Sequence, residues 1–159
     1  MSERVGIIKA FAELAFSRYE RATEDLKETV IGWRPLEEAN NIRWILTHLS
    51  RQWNVSIPRV LEGNQEYTPE GWPENYGEID HPLEKLLSDL EKGKSTVLSG
   101  IDKLSPADLD EEVPSRRGPT KRQSRLLISI SEILHHEGQI AYLRGAIGRR
   151  RQKDLNFLA

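Results

Sequence analysis

The sequence contains no cysteine and no long apolar run among its 159 residues. The lack of cysteine excludes a thiolate nucleophile, a thiolate-bound metal and any disulfide. No stretch reaches the roughly 20 apolar residues of a membrane-spanning helix, and the first residues lack the apolar block of a signal peptide. The formal net charge is only -2, which argues against general attraction to nucleic acid or acidic membranes. We therefore expect a cytoplasmic protein that binds neither membranes nor nucleic acid.

The composition of the chain, 37% hydrophobic and 30% charged residues, is that of a soluble globular protein. Apolar residues recur three or four positions apart in four segments, from about Glu3 to Val30, Glu37 to Leu61, Pro82 to Ser105 and Thr120 to Gly148. This spacing indicates amphipathic helices, and no segment shows the alternation of a strand. We predict an all-α four-helix bundle formed by a single domain over residues 1–159.

Individual residues predict where these helices begin and end. Gly32 should break the first helix, and Pro58 should kink or end the second because it lacks an amide hydrogen. Asp80 is a candidate cap for the third helix, and Thr120 with Gln123 has the spacing of a capping box for the fourth.

A long irregular loop, residues 62–80, separates the second helix from the third. Loops of this length are usually functional or disordered. Tyr67, Trp72 and Tyr76 favour an ordered loop that covers the bundle or forms a wall of a pocket.

The fourth helix carries a candidate metal site. Glu132 and His136 lie about 40° apart on its apolar stripe, so both should face the core, whereas His135 projects about 100° away from His136. A buried carboxylate beside a buried imidazole is costly unless both are satisfied, and a bound cation would satisfy both. If the second and fourth helices are neighbours, His48 completes a site of two histidines and one carboxylate.

Each of these residues also has a purely structural interpretation. His48 could be a hydrogen-bonded core residue, and Glu132 with His136 could be a buried hydrogen-bonded pair. His135 is an alternative ligand, and with Glu132 it has the Glu-x-x-His spacing of di-iron bundles. The only other such spacing falls in the loop after the second helix, so a di-iron site lacks its second half. Gly138 could permit close packing of helices.

Five basic residues cluster around the start of the fourth helix: Arg116, Arg117, Lys121, Arg122 and Arg125. Such a cluster is more often a solvated surface than a binding site. It could also bind an acidic cosubstrate or a phosphate.

Two segments, residues 44–49 (WILTHL) and 135–140 (HHEGQI), the second followed by Tyr142-Leu143-Arg144, resemble the signature segments of the DinB/YfiT-like superfamily. The resemblance extends in pattern over nearly the whole chain. It implies an up-down-down-up bundle with a long crossover after the second helix, and it implies a homodimer. It further implies a divalent metal held by one histidine of the second helix and two of the fourth.

Carried over to this sequence, the family's metal ligands are His48 and His136, and the remaining position holds Glu132 in place of histidine. Glutamate is also a metal ligand, so the site either persists with an added negative charge or has lost its metal in this branch. The ion implied by the resemblance is zinc, nickel, iron or manganese.

The resemblance also implies a function, because characterised relatives include metal-dependent transferases that use low-molecular-weight thiols. We expect a metal-dependent thiol S-transferase or hydrolase that acts on a small electrophilic molecule. Trp44, Gln52 and Tyr142 are the expected neighbours of a bound cofactor or substrate, and the sequence identifies no general base. The alternative is a non-catalytic, stress-related or ligand-binding bundle in which the polar residues only specify the core.

Overall fold

The structure is a computed structural model that describes residues 2–159. Its α-helices are α1 (Glu3–Thr23), α2 (Glu28–Ile31), α3 (Ile42–Arg51), α4 (Ile57–Glu62), α5 (Leu83–Asp102), α6 (Pro106–Asp110) and α7 (Arg122–Arg151). A π-helical turn over Gln52–Ser56 joins α3 to α4, and these three segments together are called helix two below. The strands β1 (Glu112–Val113) and β2 (Thr120–Lys121) pair in an antiparallel hairpin before α7. None of the helices within residues 2–159 has the length and apolar character needed to cross a bilayer.

Contacts between residues far apart in sequence establish the directions of the four long helices. The parallel pairs are α1 with α7 (Arg4 to Gln123, Arg144 to Ala22) and helix two with α5 (Trp53 to Gly93, Leu61 to Gly100). The antiparallel pairs are α1 with α5 (Lys9 to Asp102, Glu20 to Lys94) and helix two with α7 (His48 to His136, Gly63 to Arg122). The predicted all-α bundle with up-down-down-up topology is confirmed, with residues 63–82 as the crossover.

The core contains one large aromatic cluster. Trp53 of helix two is fully buried and contacts Phe16 and Tyr19 of α1 edge to face, with ring centroids 4.7 and 4.8 Å apart. Gly93 of α5 allows this close packing, because a Cβ atom at that position would lie 2.7 Å from Cβ of Trp53. Gly138 does not have the packing role that was one interpretation of it, since a Cβ atom added there meets no side chain and no neighbouring segment among the described residues within 4 Å.

The first helix ends at Thr23 rather than near Val30. The Thr23 hydroxyl donates a hydrogen bond back to the carbonyl of Tyr19 at 3.0 Å, and Asp25 adopts a left-handed φ of +55° that no α-helix contains. Val30 is nevertheless buried, because α2 restarts the helical path after the break.

Helix two begins at Ile42 rather than Glu37, because the side chain of Asn41 accepts a hydrogen bond from the Trp44 amide at 2.8 Å and caps it. Pro58 does not end the helix. The wide π-helical turn lies directly before it, where a proline ring crowds the preceding backbone and removes a hydrogen bond. Of the two predicted outcomes, an end of the helix at Pro58 is therefore wrong, and a kink there stays a prediction.

The predicted caps of the third and fourth long helices are wrong. The amide of Leu83 at the start of α5 donates to the carboxylate of Glu28 at 2.7 Å, so Asp80 is not its cap. Thr120 pairs within β2, and Gln123 accepts hydrogen bonds from an arginine of α1 instead of closing a capping box. The hairpin was not predicted, since two-residue strands are too short to show alternation.

The crossover is ordered by aromatic packing, as its composition predicts. The Tyr76 hydroxyl donates to the buried carboxylate of Asp89 at 2.7 Å and lies 2.9 Å from the Ser50 hydroxyl. Trp72 stacks on the Tyr76 ring at a centroid distance of 4.2 Å, and His81 packs against the same ring at 4.1 Å. Tyr76 therefore ties the crossover to both helix two and α5.

Candidate functional site

Two histidines from neighbouring helices meet near the surface of the bundle. The ring centroids of His48 in α3 and His136 in α7 lie 4.7 Å apart. Trp44, one turn before His48, stacks almost parallel on its ring at a centroid distance of 5.3 Å. The prediction that helix two and α7 bring these histidines together is thus confirmed.

The side chain of Gln139 determines which nitrogen of His136 carries hydrogen. Gln139 Nε2 donates to His135 Nε2 at 3.1 Å, which leaves its Oε1 to accept from Nδ1 of His136 at 3.0 Å. His136 therefore holds a hydrogen on Nδ1, and in the neutral ring Nε2 has a free lone pair. A hydrogen bond of this kind is the usual support of a metal-binding histidine.

Both imidazoles favour the neutral form. Burial lowers the pKa of His48, and the neighbouring His136 lowers it further. Burial also lowers the pKa of His136, and this effect exceeds the upward effect of the Gln139 hydrogen bond. Neutral imidazole is the form that binds metal ions.

Glu132 lies beside His136 but does not point into the core, contrary to the prediction. Its Oε2 is 3.8 Å from Nε2 of His136, and its side chain is 44% exposed. The buried carboxylate of this segment belongs to Glu137, which forms a salt bridge with Arg18 of α1 at 3.1 Å. An offset of four residues turns Glu132 by about 40° from His136, which is enough to carry it from the core to the edge of the helix interface.

Two clefts flank His48. The larger has a volume of about 900 Å³ and lies between helix two, α7 and residues 114–119, which connect β1 to β2 and are called the 114–119 connection. Both Gln52 and Glu132 line it. The smaller, about 260 Å³, lies between α3 and residues 77–80 of the crossover, and Trp44 lines it. The crossover therefore forms a wall of a cleft, which was one of its two expected roles.

The three predicted ligands match a divalent metal in donor chemistry. Two neutral imidazoles and one carboxylate are a donor set that zinc and non-haem iron accept. Within residues 2–159, however, no three side chains of histidine, aspartate or glutamate stand close enough together to form a ready-made metal-binding group.

The predicted ligand-binding residues divide into two groups. Trp44 and Gln52 line the clefts, and Oε1 of Gln52 is buried without a hydrogen-bond donor among the described residues. Tyr142 is 64% exposed and lines neither cleft. Arg51, which lines both clefts, was overlooked, although its position three residues after His48 places it on the same helix face.

The bundle is similar to several solved structures. A conserved protein from Enterococcus faecalis has a TM-score of 0.68 and 17% sequence identity, and the match covers 91% of this chain and 96% of that one. Mycothiol-dependent maleylpyruvate isomerase has a TM-score of 0.68 and 17% identity, covering 88% of this chain and 63% of the isomerase. A single-residue variant of that isomerase has a TM-score of 0.69 and 15% sequence identity, with the same coverage of both chains. At these identities the similarity establishes a common fold.

No curated protein matches the sequence. The sequence profile of the DinB superfamily matches residues 12–140, which extend from α1 into α7 and include His48, Glu132 and His136. This match covers most of the chain, and it agrees with the up-down-down-up bundle described above. The chain belongs to the DinB superfamily.

Proposed function

We propose that the protein is a divalent-metal-dependent enzyme of the thiol S-transferase or hydrolase type that acts on a small electrophilic molecule. The observation that carries this proposal is the pair formed by Nε2 of His136 and Oε2 of Glu132, 3.8 Å apart. Both atoms are electron-rich when the imidazole is neutral, so a cation between or beside them would relieve their repulsion. His48 supplies a second imidazole at the same place.

Zinc, nickel, iron or manganese held by His48, Glu132 and His136 would supply Lewis acidity, which lowers the pKa of a bound water or thiol. The remaining residues orient the site and leave it open. Gln139 maintains the free lone pair of His136, and Trp44 restricts the ring of His48 by stacking. A cleft of about 900 Å³, lined by His48 and Glu132 among others, has room for a small substrate and a low-molecular-weight thiol.

Elemental analysis after chelation and reconstitution tests this proposal. We expect near-stoichiometric metal in the wild-type protein and none in a His48→Ala/His136→Ala variant. Glu132→Ala should retain much less metal than the wild type. His135→Ala is the matched control and should keep its metal, because it removes an exposed imidazole next to the site while Oε1 of Gln139 can still accept from Nδ1 of His136. Equal metal content in the wild type and the double variant would refute the proposal.

A second candidate function is a non-catalytic bundle that binds a small ligand. It is favoured by the half-exposed side chain of Glu132 and by the lack of a ready-made metal-binding group among residues 2–159. In this case His48, Glu132 and His136 act only through hydrogen bonds and electrostatics. Wild-type protein that takes up none of the four metals would favour this alternative.

A further inference from the structure

The basic cluster around the start of α7 divides into two groups in the structure. Lys121 forms a salt bridge with Asp110 at 3.2 Å, and the buried guanidinium of Arg122 pairs with Glu111 at 2.8 Å. These two residues are engaged in structural contacts. The other three members line the larger cleft: Arg116, Arg117 and Arg125.

Arg51 of helix two faces the same cleft, so the cleft is lined by four arginines in all. Of the described residues that line it, only Glu132 carries a negative charge. The arginines that form salt bridges within residues 2–159 are different ones: Arg4, Arg18, Arg43 and Arg122. The cleft therefore has a concentration of positive charge that the described part of the chain does not neutralise.

The connection that carries Arg116 and Arg117 has a defined conformation. The hairpin pairs Val113 with Thr120 at its base, and the Ser115 hydroxyl donates to the carbonyl of Gly118 and accepts from the Arg117 amide. Gly118 has a φ of +101°, which favours glycine over other residues. The hairpin thus presents both arginines at a fixed place beside the cleft.

We propose that Arg51, Arg116, Arg117 and Arg125 bind the carboxylate or phosphate groups of a small organic anion in this cleft. Guanidinium groups bind both kinds of oxyanion in bidentate fashion and stay charged at all physiological pH values. A cleft lined by one sign of charge also concentrates ligands of the opposite sign. The inference deepens the proposed function, because it names the class of molecule brought to His48, Glu132 and His136.

Isothermal titration at constant ionic strength tests the anion site, with succinate and inorganic phosphate as probes. We expect one probe molecule to bind per chain, and an Arg116→Gln/Arg117→Gln variant to bind about tenfold more weakly or worse. Arg125→Gln should weaken binding in the same direction. Preference for succinate would identify carboxylate as the bound group, and preference for phosphate would identify a phosphoryl group.

An Arg149→Gln/Lys153→Gln variant is the matched control and should bind with unchanged affinity, because it loses the same charge in the last turn of α7 and just beyond it, far from the cleft. Lack of binding by the wild-type protein, or equal weakening in the control, would overturn the anion site. The same titrations with succinate and phosphate should be repeated on metal-loaded protein, on chelated protein and on the His48→Ala/His136→Ala variant. Anion binding that survives in a protein without metal would separate this inference from the metal site.

Discussion

The tautomer of His136 depends on a single amide side chain. Because Gln139 bridges His135 and His136, its oxygen is committed to Nδ1 of His136 and the lone pair of Nε2 remains available toward Glu132. A leucine at this position would have a similar size but would accept no hydrogen bond. The His136 ring would then lose the contact that favours one tautomer over the other.

We expect Gln139→Leu to shift His136 toward the tautomer with hydrogen on Nε2 and to weaken metal binding by about 10 to 100-fold. Nitrogen-15 NMR of the histidine rings reports the tautomer, and competition with a chelator reports the affinity. Gln65→Leu, in the exposed part of the crossover, is the control and should change neither. An unchanged tautomer would mean that Gln139 does not orient the ring.

At the scale of residues, helical periodicity predicts which side chains face the core, except at the edge of a helix interface. The choice of His136 over His135 as the buried histidine is confirmed, because helical periodicity separates adjacent residues by about 100°. The placement of Glu132 in the core failed because 40° of rotation decides between core and cleft at the edge of an interface. The partnership of Arg18 with Glu137 was not foreseen, since it depends on how α1 and α7 are aligned.

At the scale of elements, the contact between helix two and α5 depends on Gly93. We expect Gly93→Ala to destabilise the protein by about 1 to 3 kcal/mol, because the added methyl group would overlap Cβ of Trp53 and the amide of Asn54. Urea unfolding measures the difference in free energy.

Gly138→Ala is the matched control within α7. Its added methyl group meets open space, so the higher helix propensity of alanine should stabilise the protein by up to about 1 kcal/mol. If the two substitutions changed stability equally, the proposed close contact at Gly93 would be wrong.

The positions of helices were predicted more accurately than their ends. Apolar periodicity extends through Val30, because α2 keeps that residue buried after the helix has broken. The amide at the start of α5 is satisfied by Glu28, which is 55 residues away from Leu83 in sequence. Capping partners that come from distant segments leave no local pattern, whereas the true capping box, Ser105 with Asp108, is local.

At the scale of the whole molecule, Tyr76 connects the crossover to the bundle. We expect Tyr76→Phe to lower the free energy of unfolding by about 1 to 3 kcal/mol, because buried Asp89 would lose a hydrogen-bond donor. Limited proteolysis should also cut residues 63–82 faster than in the wild type.

Tyr142→Phe is the control for this substitution, since it removes a hydroxyl from a 64% exposed side chain. We expect no change in stability or in the cleavage pattern. Equal behaviour of the two variants would show that the Tyr76 hydroxyl does not secure the crossover.

The architecture of the molecule was predictable because four amphipathic segments separated by one long loop are compatible with few arrangements. The larger cleft was not predictable, since it forms between segments far apart in sequence, such as α3 and the 114–119 connection. The homodimer and the single-domain organisation over residues 1–159 stay predictions.

The π-helical turn at Gln52–Ser56 has a consequence for how the chain tolerates changes in length. A π-helical turn contains about one residue more than an α-helical turn, so it acts as an insertion already accommodated within helix two. Removal of one residue there would convert the turn to regular α-helix while the His48 and Leu61 ends kept their orientations. A deletion elsewhere in helix two would rotate one end of the helix by about 100° relative to the other. The residues that line the clefts and the residues that face the core could then no longer both keep their positions. Homologues whose helix two is one residue shorter should therefore place the gap between Gln52 and Ser56.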